Sequence, residues 1–171
     1  MLNGIFFVCL SLSLYSAGSS LSCRWMTHKF RQHSTKSLDL IDTMANNSTN
    51  TTEDEVHFPN DLYSQASKAS AEDKLRFTVQ ILEEMVSLFE EDHSAASWEE
   101  KTVDHFLIVV TQQADGLQSC GHSHKNKKLH MYFKRLSGHV LKRMGHSAEA
   151  WELIREEMKN HLIRVEQLLP N

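Results

Sequence analysis

Apolar residues recur at Leu75, Val79, Leu82, Val86 and Phe89, at intervals of four, three, four and three, and Ile81, Met85 and Leu88 widen the stripe. Those intervals follow the helical period, and a stripe this broad predicts burial against two neighbours. Ser70 followed by Asp73 resembles a capping box with Asp in place of Glu, so the helix is predicted from near Ala71 to about Glu91.

Four further blocks read as helices. Residues 24–45 carry Met26, Phe30, His33, Leu38, Ile41 and Met44 near helical spacing, with a loose middle around Ser34 to Ser37. Residues 98–115 use Val103, Phe106, Leu107, Val110 and Ala114, with Ser97 as predicted N-cap and Gly116 loosening the end. Residues 128–144 turn Leu129, Tyr132, Phe133, Leu136, Val140 and Met144 inward, with Gly145 as C-cap. The last block, 147–169, buries Trp151, Ile154, Met158, Leu162, Val165 and Leu169. Its other face, with Glu152, Arg155, Glu156, Lys159, Asn160 and Glu166, is expected in solvent. Trp98 and Trp151 each open an amphipathic helix on its apolar side and are read as core anchors.

Between the first two blocks, residues 46–67 have no periodicity, four acidic residues and no Lys or Arg, so they read as a long loop pinned to the bundle by Phe58 and Tyr63. A connection of that length can travel a helix and let the second block run parallel to the first. Only Pro59 and Pro170 occur, and neither interrupts a periodic stretch. The prediction is all-α: a five-helix bundle with a crossover connection.

The opening MLNGIFFVCLSLSLYSAGSSLSC, apolar from about Ile5 to Ala17 and then small, matches the hydrophobic core and cleavage zone of a secretory signal, although no Lys or Arg precedes it. Residues 1–22 are expected to be removed, leaving a one-domain chain, 23–171, in an oxidising extracellular compartment. Cys23 and Cys120 are then the two remaining cysteines, and the compartment favours their pairing. That pairing removes Cys120 from any metal site with His122 and His124, which are read as solvated loop histidines. In the same setting Asn46, Asn47 and Asn50 open glycan acceptor triplets, with the first two overlapping.

The residues carry no G-x-S-x-G, no H-E-x-x-H and no phosphate-cradling glycine loop, and paired acids such as Glu83-Glu84 point about 100° apart on their helices. No catalytic residue, cofactor or metal is expected. A net charge of −4 does not imply nucleic-acid binding, although Lys125, Lys127, Lys128, Lys134, Arg135, Lys142 and Arg143 make one region locally basic, suited to an acidic partner or a heparin-like surface. Eleven histidines would carry the formal charge to +7 on full protonation, which raises pH sensitivity as a hypothesis.

SAASWEEKTVDHFLIVVTQQADGLQSC, residues 94–120, resembles the third-helix stretch of type I interferons, and YFKRLSGHVLKRMGHSAEAWELIREEM, residues 132–158, resembles their last two helices. SLDLIDTM and FPNDLY resemble first-helix and loop segments. The two-cysteine pattern is most similar to the fish group with a single disulfide, since Glu149 stands where many relatives place a second-bridge cysteine. One departure is a gap before Trp151 about one residue longer than the usual signature.

The resemblance implies a long-chain (class II) helical cytokine: secreted, antiviral, monomeric, without membrane insertion, and joining two class II cytokine receptor chains to trigger JAK-STAT signalling. It implies that the loop after the first helix, with the last helix, meets one receptor chain, and that the opposite face of the second, third and fourth helices meets the other. By position Arg155 aligns with a basic receptor contact, and Lys159 lies one turn further on the same face. Charge reversal at Arg155 is then expected to weaken receptor binding without lowering the melting temperature. Relatives also use a basic contact in the loop, whereas residues 45–67 offer none. Alternatives are another long-chain helical cytokine or hormone, or a secreted histidine-rich metal-binding protein.

Overall fold

The computed structural model describes Cys23 and residues 28–45, 56–120 and 125–169. Among them the elements are α1 (28–43), α2 (Asn60–Ser67), α3 (Ala71–Phe89), a 3-10 turn at Ser94–Ala96, α4 (Glu100–Gln118), α5 (Lys127–Lys142) and α6 (Ala148–Leu168). No strand occurs among the described residues. The five long helices are those the periodicity predicts, and α2 is an additional short helix inside the connection expected to be loop.

Side-chain contacts give the directions. Ile41 meets Arg155 and Ser34 meets Glu166, so α1 and α6 are antiparallel. Gln80 meets Asn126, Glu84 meets His130 and Glu91 meets Ser137, a constant offset that makes α3 and α5 parallel. Phe89 packs on both Trp98 and Phe106 while Gln118 reaches Glu83, so α4 runs against α3. Phe89 also packs on Trp151, near the start of α6, which sets α3 against α6 and therefore parallel to α1. The crossover is the one the long connection permits.

α3 is the central helix. From Phe77 to Leu82 every residue is buried, and Ile81, Leu82 and Met85 have no exposure. Ser70 caps it as predicted, its Oγ accepting from the Asp73 backbone N–H at 3.2 Å and donating to the Asp73 carboxylate at 2.9 Å. The loose middle of α1 has a packing explanation. Its buried positions are Phe30, Ser34, Ser37, Ile41 and Met44, a regular stripe at intervals of four, three, four and three. Two serines occupy it where α1 meets α6. Ser37 donates to the Ser34 carbonyl at 2.9 Å and Ser34 to Glu166 at 3.3 Å, which satisfies both buried hydroxyls.

Three local predictions are corrected. Ser97 does not cap α4: it adopts a left-handed conformation, φ 57°, at the end of the 3-10 turn, and Glu99 holds the N-cap position without a side-chain bond. Gly116 does not loosen α4, which continues through it to Gln118. Met144 is only partly buried. Gly145 does sit at positive φ, 63°, beyond the end of α5.

The second half of α5, Leu136–Lys142, is π-helical, with the Arg143 N–H donating to the Gly138 carbonyl at 3.2 Å. A π turn encloses one residue more than an α turn. One residue more than an α-helix would hold is thus taken up within the helix, and the turn into α6 stays short. Near that turn Trp151 has no exposure, packs against Phe89 and Trp98, and donates its indole N–H to the Asp92 carbonyl at 2.9 Å.

Candidate functional site

The outward strip of α6 carries Glu156, Asn160, Ile163 and Gln167, spaced at three or four residues, and it borders α1 on one side and α2 on the other. Ile163 is 37% exposed, one of few large apolar side chains left in solvent. Lys159 lies on the α1 border, its Nζ 2.6 Å from the Asp42 carboxylate, with the two side chains partly exposed.

Arg155 corrects the expectation of a solvated residue. It is 4% exposed, its Nε and Nη2 donate to the Glu152 carboxylate at 2.9 and 2.6 Å, and Nη1 donates to the Ile41 carbonyl at 3.3 Å. Glu156 approaches Nη2 at 3.6 Å from the solvent side. The guanidinium therefore ties α6 to the end of α1, between a mostly buried Glu152 and an exposed Glu156. Helical period alone assigns Arg155 to the polar side; the close approach of α1 covers it.

On the α2 border a feature appears that the sequence reading missed. Arg164 donates to the Asn60 side-chain oxygen at 3.0 Å, and its guanidinium lies 4.8 Å from the centroid of the Tyr63 ring and 5.6 Å from that of Phe58. A basic group thus rests on a connection that has none of its own. The signal for it is faint: Arg164 follows Asn160 by one helical turn, and only α2 makes that position an interface.

Beneath Arg164, His161 has no exposure. Its Nδ1 is 2.7 Å from the Tyr63 hydroxyl and its Nε2 is 3.1 Å from the Tyr132 hydroxyl, while Tyr132 donates to Glu157. Since the Tyr132 proton goes to the carboxylate, Nε2–H donates to Tyr132 oxygen and Nδ1 accepts from Tyr63. His161 is a neutral Nε2–H tautomer. Burial, with a smaller contribution from the Arg164 charge, pushes its pKa down to about 3. Burial also pushes the Tyr63 phenol well above its ordinary value. Phe58 stacks on Tyr63 at 5.4 Å and lies 4.7 Å from the imidazole, so both aromatic residues expected to pin the connection do so.

Cys23 and Cys120 form the predicted disulfide, with Cα atoms 5.6 Å apart, tying the start of the first helical segment to the end of α4. Asn46, Asn47 and Asn50, His122 and His124, and residues 1–22 lie outside the described residues. Among the described residues, no group of three or more His, Cys, Asp or Glu could hold a metal ion, and no helix is long and apolar enough to cross a membrane.

Residues 26–171 match the family described as the interferon alpha/beta domain. Interferon a3 of Oncorhynchus mykiss is 35% identical over 148 residues, covering 85% of this chain and 84% of its own. Interferon tau-1 of Ovis aries is 24% identical over 168 residues, covering 90% and 85%. The solved structure of zebrafish interferon 1 superposes with a TM-score of 0.73 at 29% identity, over 84% of this chain and 96% of that one. A match running from before α1 to beyond α6, on a fold shared with a solved interferon, places the chain in the interferon alpha/beta family, as a type I interferon similar to those of fish.

Proposed function

We propose that the chain is a secreted antiviral cytokine that joins two different class II cytokine receptor chains at the cell surface and thereby activates receptor-bound Janus kinases and STAT factors. The observation that carries this reading is the extent of the family match, which takes in every long helix of the bundle rather than one motif. Residues 1–22 serve as the secretory signal, residues 23–171 as the cytokine domain, and at least one of Asn46, Asn47 and Asn50 carries a glycan.

One receptor chain docks on the strip of α6 between α1 and α2. Exposed Ile163 supplies an apolar anchor, and Lys159 and Arg164 supply charge on its two borders. Arg164 takes the place of the basic loop contact that residues 45–67 lack. Arg155 acts behind this surface as a positioning residue, because its guanidinium is already consumed by Glu152 and the Ile41 carbonyl.

The test adds purified secreted protein to cells carrying a STAT-responsive antiviral reporter, with and without each receptor chain. Reporter induction that needs both chains is the expected result, and silence in cells carrying both overturns the reading. Lys159→Glu is expected to weaken binding to one receptor chain with the melting temperature unchanged within about 2 °C, because an exposed ion pair contributes only ~0–1 kcal/mol.

A further inference from the structure

Residues 116–148 contain seven of the 18 Lys and Arg side chains and none of the 22 carboxylates of a chain whose net charge is −4. Six of the seven form three doublets: Lys127-Lys128, Lys134-Arg135 and Lys142-Arg143. All six residues are exposed, five on α5 and Arg143 as the residue that caps its end. The doublets are separated by seven residues and then by eight. In an uninterrupted α-helix, at about 100° per residue, the eighth residue would swing the last doublet some 80° out of line. The π turn at Leu136–Lys142 absorbs that residue. All three doublets therefore fall in one sector of the helix, about 10 Å apart along its axis.

Five of these six charges have no carboxylate partner among the described residues. Lys127, Lys128, Lys134, Arg135 and Lys142 make no ion pair among the described residues, whereas Arg76, Arg155 and Lys159 each hold a carboxylate. The acids that α3 and α6 turn toward α5 meet other side chains than the doublets: Glu84 meets His130, Glu91 meets Ser137 and His146, and Glu157 meets Tyr132. At its N-terminal end the row borders a groove of about 720 Å³ between α2 and α5, lined by Phe58, Leu62 and Met131 together with Lys127, Lys128, Arg135 and Asp61.

We propose that the doublets of α5 form a rail for a linear sulfated polysaccharide of the glycosaminoglycan type. The choice of extracellular polysaccharide rests on the secretion reading above. Axial repetition of like charge along a straight rod matches a polymer whose anions also repeat, and it exceeds what a compact acidic cluster on a protein requires. Bases would need exposed rings to stack on, yet Tyr132 and Phe133 are buried. A bilayer would need an apolar face to take up, yet Met131 is the one large apolar side chain that α5 exposes.

The test passes the purified protein over immobilised heparin at about 0.15 M salt, beside Lys134→Glu/Arg135→Glu and a control, Lys68→Glu/Lys101→Glu, whose residues are exposed on other faces. Expected are retention of the wild type and the control, at least tenfold weaker binding of the α5 variant, and unchanged melting of all three. Lys134→Ala/Arg135→Ala, which adds no carboxylate, should show a smaller loss in the same direction. Passage of the wild type through the column overturns the proposal, as do equal retention of the α5 variants or equal affinity for duplex DNA or anionic vesicles. A protein that binds heparin but leaves the reporter silent refutes only the cytokine reading. One that signals but ignores heparin refutes only the rail.

Discussion

A neutral imidazole between two tyrosine hydroxyls sets a limit on how far this fold tolerates acid. His161 has a native pKa of about 3, below the ~6.5 of an exposed histidine, so the unfolded chain binds a proton that the native state refuses. Its contribution to stability is intact above pH 6.5 and declines as pH falls toward 3, by up to about 1.4 kcal/mol per pH unit for one proton. His161→Gln keeps a donor and an acceptor between Tyr63 and Tyr132 and removes the titration. Its melting temperature should fall less than the wild type's between pH 7 and 4.5, and parallel slopes would refute the assignment. Arg155 is governed by the same physics with the sign of the group reversed. The expectation that its charge reversal spares the melting temperature is replaced by the opposite one. Arg155→Glu should lose about 3 kcal/mol, because a second carboxylate then faces the partly buried Glu152 and the bond to Ile41 is gone. Urea unfolding would measure it, and a loss below about 1 kcal/mol would return Arg155 to the surface. Neither role was legible from spacing. Period assigns a residue to a side of its helix, whereas burial at the margin of that side depends on how closely the next helix approaches.

At the scale of the element, legibility follows whether the determinant is local. The cap at Ser70 and the positive φ of Gly145 involve only near neighbours and were readable, as were the five long helices. α2 was not, since eight residues after Pro59 are too few to display a period, and it is held by Leu62, Tyr63 and Ala66 against the bundle. The π turn at Leu136–Lys142 was not legible either, because the period places the same residues inward for an α-helix. Two glycines around it differ in what they require. A Cβ at Gly138 would meet nothing within 4 Å and the residue lies within helical backbone, so Gly138→Ala should stabilise by about 0.5–1 kcal/mol by restricting the unfolded chain. Gly145 also has open space, but its φ of 63° strains any side chain, so Gly145→Ala should cost about 1 kcal/mol. In a chain of this size each change is ~2–4 °C per kcal/mol in calorimetry, and melting shifts of the same sign would refute the distinction.

For the whole molecule the question is what fixes a bundle whose first helix touches its last across the full length of the sequence. α1 meets α6 through Ser34, Ile41 and Asp42, over contacts separated by more than 110 residues, so their closure entropy is among the largest in the fold. The buried stripe of α1 holds two serines among its five residues, and it offers fewer apolar side chains than that of α3. The Cys23–Cys120 bond acts where that deficit lies. It spans 97 residues and holds the chain just before α1 to the end of α4, which confines the unfolded ensemble by about 4–5 kcal/mol in the chain-entropy treatment. Pairing could be read from cysteine count and compartment, but its purpose could not, because the weakness of the α1 interface appears only once the serines are seen buried. Cys23→Ser/Cys120→Ser should therefore loosen α1 first. Hydrogen exchange should quicken in residues 28–43 well before the core of α3, and global stability should fall by several kcal/mol. Lost protection spread evenly over α1 and α3 would mean that the bridge stabilises the bundle as one unit rather than bracing its weakest helix. The proposed receptor strip distinguishes these cases, since Lys159 is paired with Asp42 of α1 and Ile163 is not. Under local loosening, Lys159→Glu should cost less receptor affinity in the bridge-free background than in the bridged protein, while Ile163→Ala costs the same in both.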